Sequence, residues 1–264
     1  SLCLFRETGI IIQDQPRTLM KILDEIIEAH GGRGYWNTLE AVEADISAAG
    51  FLFTAKHRPV LDHVRMRAST GEPRFTFYDF PGPGKTAELI GNSEVRILDA
   101  SGEVIARREN PRTAFRGMRH LFSWDDLDFI YFAGYATWHY LTAPFLLMGK
   151  EFIIRELPPL PGDLAGLTGL HVTFPDDFPT HSPQQVYYFD DGRLLRRLDY
   201  TAEVVGRWAH AAHLCEEYRQ FGRLKVPTRR RVFPLPFGHN PLPGPTLVAI
   251  DVHDVRPVVL PGQR

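Results

Sequence analysis

Two hydrophobic periods divide the chain. Over residues 18–30 the apolar side chains Leu19, Ile22, Leu23, Ile26 and Ile27 recur three and four apart, and Gly31-Gly32 follow as a stop. That pattern predicts an amphipathic helix. From Val42 the period becomes two, with Val42, Ala44, Ile46 and Ala48 alternating with Glu43, Asp45 and Ser47. The alternation returns over residues 63–68 and 74–80, as expected of antiparallel strands with one dry face.

Turn signals space a series of further short strands. Pro81-Gly82-Pro83-Gly84 precedes a strand at 85–90, and Ser101-Gly102 separates 95–99 from 103–107. Strands resume at 152–156, 169–174, 185–189 and 194–200, the last two joined by Asp191-Gly192, a strong hairpin signal. Three more follow at 211–218, 224–233 and 246–255, with Phe221-Gly222 marking a turn.

Between the two runs of strands lies residues 119–150, the most apolar and most aromatic stretch. No charged residue occurs between Asp128 and Lys150. At helical spacing His120, Trp124, Asp128, Tyr131, Tyr135, Trp138 and Thr142 share a face, while Leu121, Phe129, Phe132, Tyr140, Leu141 and Phe145 occupy the others. A helix, or two short ones, over 122–148 is therefore apolar nearly all round and has to be deeply packed or laid over something apolar. The length also suits a membrane span. Gly134, Thr137, His139, Thr142 and Pro144 within the run, and three aspartates at its start, make membrane association the minor reading.

The sum is an α+β chain: an arm at 1–16, one domain over 17–256 and a tail at 257–264. A sheet of this size curls, and a curled sheet with an apolar helix across its concave face encloses a cavity. A net charge of −2 gives no global attraction to nucleic acid. Cys3 and Cys215 cannot make a disulfide framework, and SLCLFRETGIII lacks the basic start and small-residue cleavage site of a signal peptide. The expectation is a cytoplasmic protein with reduced thiols, for the sequence as it stands. Nothing in the pattern speaks to the oligomeric state.

Three segments, ILDEIIEAHGGRGYWNTLEAVEADI, YYFDDGRLLRRLDYTAEVV and EEYRQFGRLKVPTRRRV, resemble the lipoprotein localisation factor superfamily, LolA/LolB-like. The resemblance spans most of residues 20–255. It implies a strongly curved antiparallel sheet, an incomplete β-barrel, with an N-terminal helix and a central apolar helix covering the concave face. Members of that superfamily carry acyl chains, and relatives of similar shape include a cofactor-free enzyme. Neither an export signal nor a lipobox cysteine is visible in the sequence as it stands, so lipoprotein transport itself is not among the expectations.

No phosphate loop, metal signature or dinucleotide fingerprint is present, so no cofactor and no metal are expected. GPGKT at 82–86 lacks the first glycine of a phosphate loop and reads as a turn. His210 and His213 share a face only on a helix, and a strand is expected there. Asp251, His253 and Asp254 are explained as solvent-facing positions. Arg196, Arg197, Arg219, Arg229, Arg230 and Arg231 read as the wet outer face of the sheet. Cys215 reads as an inert strand thiol.

What remains is the aromatic helix. Trp124, Tyr131, Trp138, Tyr140 and Phe145 are the candidate ligand-binding residues, and core packing with bonded polar tips explains them equally well. His139, His181 and Tyr135 are the candidates for acid–base work. Two functions follow. One is binding of a hydrophobic or aromatic small molecule or acyl chain in the cavity. The alternative is a cofactor-independent isomerase, cyclase, hydratase or lyase acting on an apolar substrate there.

Overall fold

The computed structural model describes residues 15–236 and 238–262. Most of the expected 1–16 arm lies outside these residues. The first element, α1 (Gln15–His30), buries Ile22, Ile26 and Ile27 as its stripe requires. Gly31 (φ 140°) and Gly32 (φ 90°) end it, and Gly32 N–H donates to Ile27 O at 3.0 Å. A Cβ on Gly31 would sit 2.7 Å from Arg223 O, so only glycine fits this closure. A single turn follows, α2 (Arg33–Trp36), which the pattern did not show.

Among the described residues thirteen antiparallel strands form one open sheet. The first six are β1 (Leu39–Ala49), β2 (Leu61–Ser69), β3 (Arg74–Tyr78), β4 (Thr86–Ile90), β5 (Glu94–Leu98) and β6 (Val104–Glu109). The other seven are β7 (Ile153–Glu156), β8 (Thr168–Thr173), β9 (Gln184–Phe189), β10 (Leu195–Thr201), β11 (His210–Phe221), β12 (Leu224–Pro234) and β13 (Val248–Val259). Each run is a meander, and they join where β1 pairs with β13, leaving β6 and β7 as the edges. The short helix α3 (Phe51–Ala55) interrupts the path from β1 to β2.

The central stretch becomes three pieces: α4 (Arg119–Phe122), α5 (Asp126–Thr142) and a 3-10 turn at Phe145–Met148. Asp125 and Asp128 close a reciprocal cap at the start of α5, where Asp128 N–H donates to Asp125 Oδ1 at 2.8 Å. Arg108 and Arg119 each donate to the buried Asp128 carboxylate, at 2.6 and 2.7 Å, tying α5 to β6 and α4. Pro144, which lacks an N–H, follows its end. Only Asp126, Leu127 and Thr137 of α5 escape burial. No helix among the described residues is long and apolar enough to cross a membrane.

The curvature can be argued from contacts of α5. Gly134 packs on Leu89 of β4, whereas the His139 ring is hydrogen-bonded to Tyr187 of β9. In a flat sheet those strands, eight steps apart, would lie about 38 Å from each other. The helix rises only about 8 Å between the two residues. The sheet therefore wraps around α5.

Two expectations need correction, the tail and the wet-face arginines. The strand β13 runs to Val259, and Leu260 N–H bonds Thr38 O, so the supposed tail from 257 begins inside the sheet. The β9–β10 hairpin turns where Asp191-Gly192 was read as its signal, and Arg193 takes the left-handed conformation there (φ 63°), its guanidinium held by Glu25 and Thr168 at 2.9 Å each. The arginines are not all on a wet face. Alternation along β12 places Arg230 inside, 2% exposed, and Arg197 is buried against Asp199.

Candidate functional site

A cleft of about 570 Å³ opens at one end of the curved sheet. Its walls include Phe51, Leu52, Ala55 and Lys56 at α3, Leu121 and Phe122 at the end of α4, and Ala202, Val205, Trp208 and Ala209 after β10. Ala211, Val232 and Pro234 on β11 and β12, with Leu247 and Val248 at the start of β13, complete them. The rim residues Phe51, Phe122 and Trp208 are strongly exposed, at 54%, 66% and 72%. The floor is buried and consists of Phe132, His181 and Tyr200. Lys56 donates to the carbonyls of His120 and Leu121, both at 2.8 Å, so it anchors α4 to the wall, and burial lowers its pKa.

His181 reaches the floor from the loop between β8 and β9. That loop is pinned by Arg112, which donates to Thr180 O and to Glu203, both at 2.8 Å. The imidazole stacks on Tyr200 with centroids 3.9 Å apart. Its Nδ1 lies 3.2 Å from the Tyr135 hydroxyl and its Nε2 2.7 Å from that of Tyr140. The Tyr140 and Tyr200 hydroxyls are 3.1 Å apart. A neutral imidazole has one N–H and one acceptor nitrogen, so one phenol donates to the ring and the other accepts from it.

Behind this floor a second layer is fully enclosed. The His139 ring bonds Tyr187 through Nε2, and its Nδ1 lies 3.1 Å from Thr180 Oγ1, which also accepts from Gln185. His213 meets the Tyr140 ring edge-on at 4.4 Å. Arg230 donates to Tyr140 O at 2.8 Å and to Cys215 Sγ at 3.3 Å, and no carboxylate among the described residues pairs with it. His213 Nδ1 and Arg230 Nε have no hydrogen-bond partner.

Burial sets the protonation states. It lowers His139 to about 3, with the Arg230 charge adding to the effect. Burial, then His139 and Arg112, holds His181 well below its ordinary value, and burial with Arg230 does the same to His213. Desolvation raises Tyr135, Tyr140 and Tyr187 well above the ordinary phenol range. At neutral pH the layer is a set of neutral rings and phenols beside one guanidinium. Such groups recognise a polar atom by hydrogen bonding, and they are weak bases for proton abstraction.

The candidates read from the sequence are distributed unevenly. His181 lines the cleft, while Tyr135, Tyr140 and His139 stand behind it. Trp124 donates to His120 O at 3.0 Å, Trp138 to Ser69 O at 2.9 Å and Tyr131 to Asn92 at 2.6 Å, and Phe145 stacks on Trp36 at 4.1 Å. These four are not among the residues that line the cleft. Of α5, Phe132 does that. The apolar triplet Phe51-Leu52-Phe53 and the isolated Trp208 in a polar stretch were the available signals for the wall. His210 and His213 fall on opposite faces of β11, and Gly84 N–H donates to Asp79 in a plain turn.

No known family matches the sequence, and no curated protein does. Among solved structures the chain is similar to a LolA superfamily protein from Nitrosomonas europaea, with a TM-score of 0.50 at 12% identity over 92% of this chain and 94% of that one. A DUF1329 family protein from Desulfovibrio piger superposes with a TM-score of 0.49 at 14% identity, over 90% of this chain and 92% of that one. Identities this low speak to the fold alone. At that level the chain resembles the LolA superfamily: a large, open, curved antiparallel sheet with few helices.

Proposed function

We propose that the chain binds an apolar small molecule or an acyl chain in the cleft between α3, α4 and the ends of β10–β13. The observation that carries this reading is a concavity of about 570 Å³ with apolar walls and a His181–Tyr200 floor. That combination of size, apolar lining and few convergent polar groups is what small-molecule sites present. The apolar body lies along Phe122, Trp208 and Val232, and a polar end meets His181.

A fluorescent long-chain fatty acid titrated into the tag-free protein tests it. Saturable one-to-one binding is expected, lost in Ala211→Phe, which fills the cleft, and kept in Trp138→Phe, which lies outside it. Equal binding by both variants would sink the proposal. Native mass spectrometry of freshly purified protein then identifies any ligand carried through purification.

The second reading, a cofactor-free reaction on an apolar substrate, has one observation of its own: an imidazole held between two phenols at the floor of the cleft. There His181 and Tyr140 would hold a substrate oxygen and relay a proton. It requires His181→Ala to abolish turnover while apolar binding persists. The depressed basicity of His181 supports the binding reading over this one.

A further inference from the structure

The outer face of the sheet holds a second constellation, far in chemistry from the cleft. Strand alternation turns Val42, Ala44 and Ile46 of β1 inward and Asp45 and Ser47 outward. On both flanks of this outward pair the ladder is irregular. Towards β13, Asp45 pairs with Asp254 and Ile46 with Val252, which leaves His253 as the extra residue. Towards β2, Ile46 pairs with Val64 and Ala48 with Leu61, which leaves Asp62 and His63 opposite Ser47. His63 takes a left-handed conformation there, at φ 49°. Bulges re-aim side chains, and these two aim histidines from both neighbours over β1.

We propose that Asp45, His63 and His253 form a binding site for a late first-row divalent cation of the zinc, nickel or copper type. Their ligating atoms all lie within 4.8 Å of one another. His63 Nδ1 is 3.0 Å from Asp45 Oδ1, and the two imidazoles stack with centroids 3.9 Å apart. Ser47 Oγ holds both histidines in place: it accepts from His63 N–H at 3.0 Å and lies 2.9 Å from His253 Nε2. Among the described residues no lysine or arginine pairs with Asp45, and Asp251, which pairs with Ser47 in the ladder, is engaged by Arg231.

Two imidazoles and one carboxylate suit these cations and not calcium or magnesium, which prefer oxygen. A tetrahedral zinc with ligands at about 2.0–2.1 Å places them roughly 3.4 Å apart. Half-exposed side chains reach that by small rotations, and water completes the coordination. The three ligands come from β2, β1 and β13, so a bound cation clips the junction of the two meanders.

The test is zinc titration of tag-free, chelator-treated protein by calorimetry, with thermal unfolding followed in parallel. One zinc per chain is expected, with a rise in Tm that depends on zinc concentration. His63→Ala and His253→Gln should each weaken binding by about tenfold or more, and Asp45→Asn similarly, on the scale of lost ligand support. A Tm within a few degrees of wild type without metal confirms that each variant is folded. Absence of stoichiometric binding at 1 mM zinc, or binding unchanged in the folded His63→Ala/His253→Gln double variant, overturns the proposal.

Discussion

The two meanders present opposite interiors to the same helix. The β2–β5 side meets α5 with Met66, Phe75, Phe77, Leu89 and Val95, all with no measurable exposure and no polar group among them. The β9–β12 side meets it with Tyr187, Tyr200, His213, Cys215 and Arg230, joined by His181 from the neighbouring loop. Close-packed apolar contacts hold the first side, and deleting atoms there leaves a cavity. The second side keeps polar groups out of water, and the Gln185 Oε1, His213 Nδ1 and Arg230 Nε atoms there have no hydrogen-bond partner, which is costly for folding. The two halves thus differ in how many polar groups they bury against the helix. The cleft opens on the second half.

The largest expected effect comes from acid. Four buried histidines, His30, His139, His181 and His213, have folded pKa values depressed below 6.5, to about 4 for His30 and about 3 for His139. As pH falls below 6.5 the unfolded chain takes up protons that the folded chain refuses. Their contribution is therefore complete above pH 6.5 and lost below it, at up to about 1.4 kcal/mol per histidine per pH unit. All four belong to the β9–β12 half: His30, His139 and His181 pack on Phe189, Tyr187 and Tyr200, and His213 stands on β11 itself. Hydrogen exchange between pH 7 and 4.5 should show β9–β12 losing protection while β2–β5 keeps it. Early loss from β2–β5 breaks the comparison.

Next in size is Phe77→Ala in the dry half, expected to cost about 3–5 kcal/mol in urea unfolding. Ligand affinity of the folded variant should not change. Tyr140→Phe removes the hydroxyl between His181 and Tyr200 and should cost less, about 1–3 kcal/mol. In contrast to Phe77→Ala it should weaken or reorient a ligand with a polar end, read from the same fatty-acid titration. The smallest effect is expected of Arg230→Met. A buried guanidinium without a carboxylate gives up desolvation as well as hydrogen bonds when removed, so stability should stay within about 1 kcal/mol of wild type. A loss of 3 kcal/mol or more would place Arg230 among the essential supports of the fold.

The legible part of this molecule is what local periodicity controls. The stripe of α1, the alternation of β1 and the dense apolar run of α5 follow from spacing alone, and each lies close to where the spacing puts it. The cleft was not legible. Its walls combine Phe51, Phe122, Trp208 and Val232, which belong to four separate segments and share no period. Arg230 shows the limit within one strand: Arg229, Arg230 and Arg231 look alike in sequence, and only the pleat decides that the middle one turns inward. The aromatic tips of Trp124, Tyr131 and Trp138 advertised a site, yet backbone carbonyls and Asn92 use them. His181 was a candidate because a polar loop just before a strand is a common place for ligand-contacting groups, and the structure puts it on the buried floor of the cleft. Its two phenol partners on α5 were visible only as members of a helix face.

The pairing of β1 with β13 has a consequence for how this chain is made. Ala49 pairs with Ala249, 200 residues later, so one long edge of the first meander has no partner until those 200 residues have been synthesised. At about 5–20 residues per second that wait lasts on the order of 10–40 s. Throughout it β1 is an eleven-residue edge strand with alternating Val42, Ala44, Ile46 and Ala48, the kind of template other chains add to. During translation β1 is therefore open to strand addition by other chains until β13 emerges to cover it.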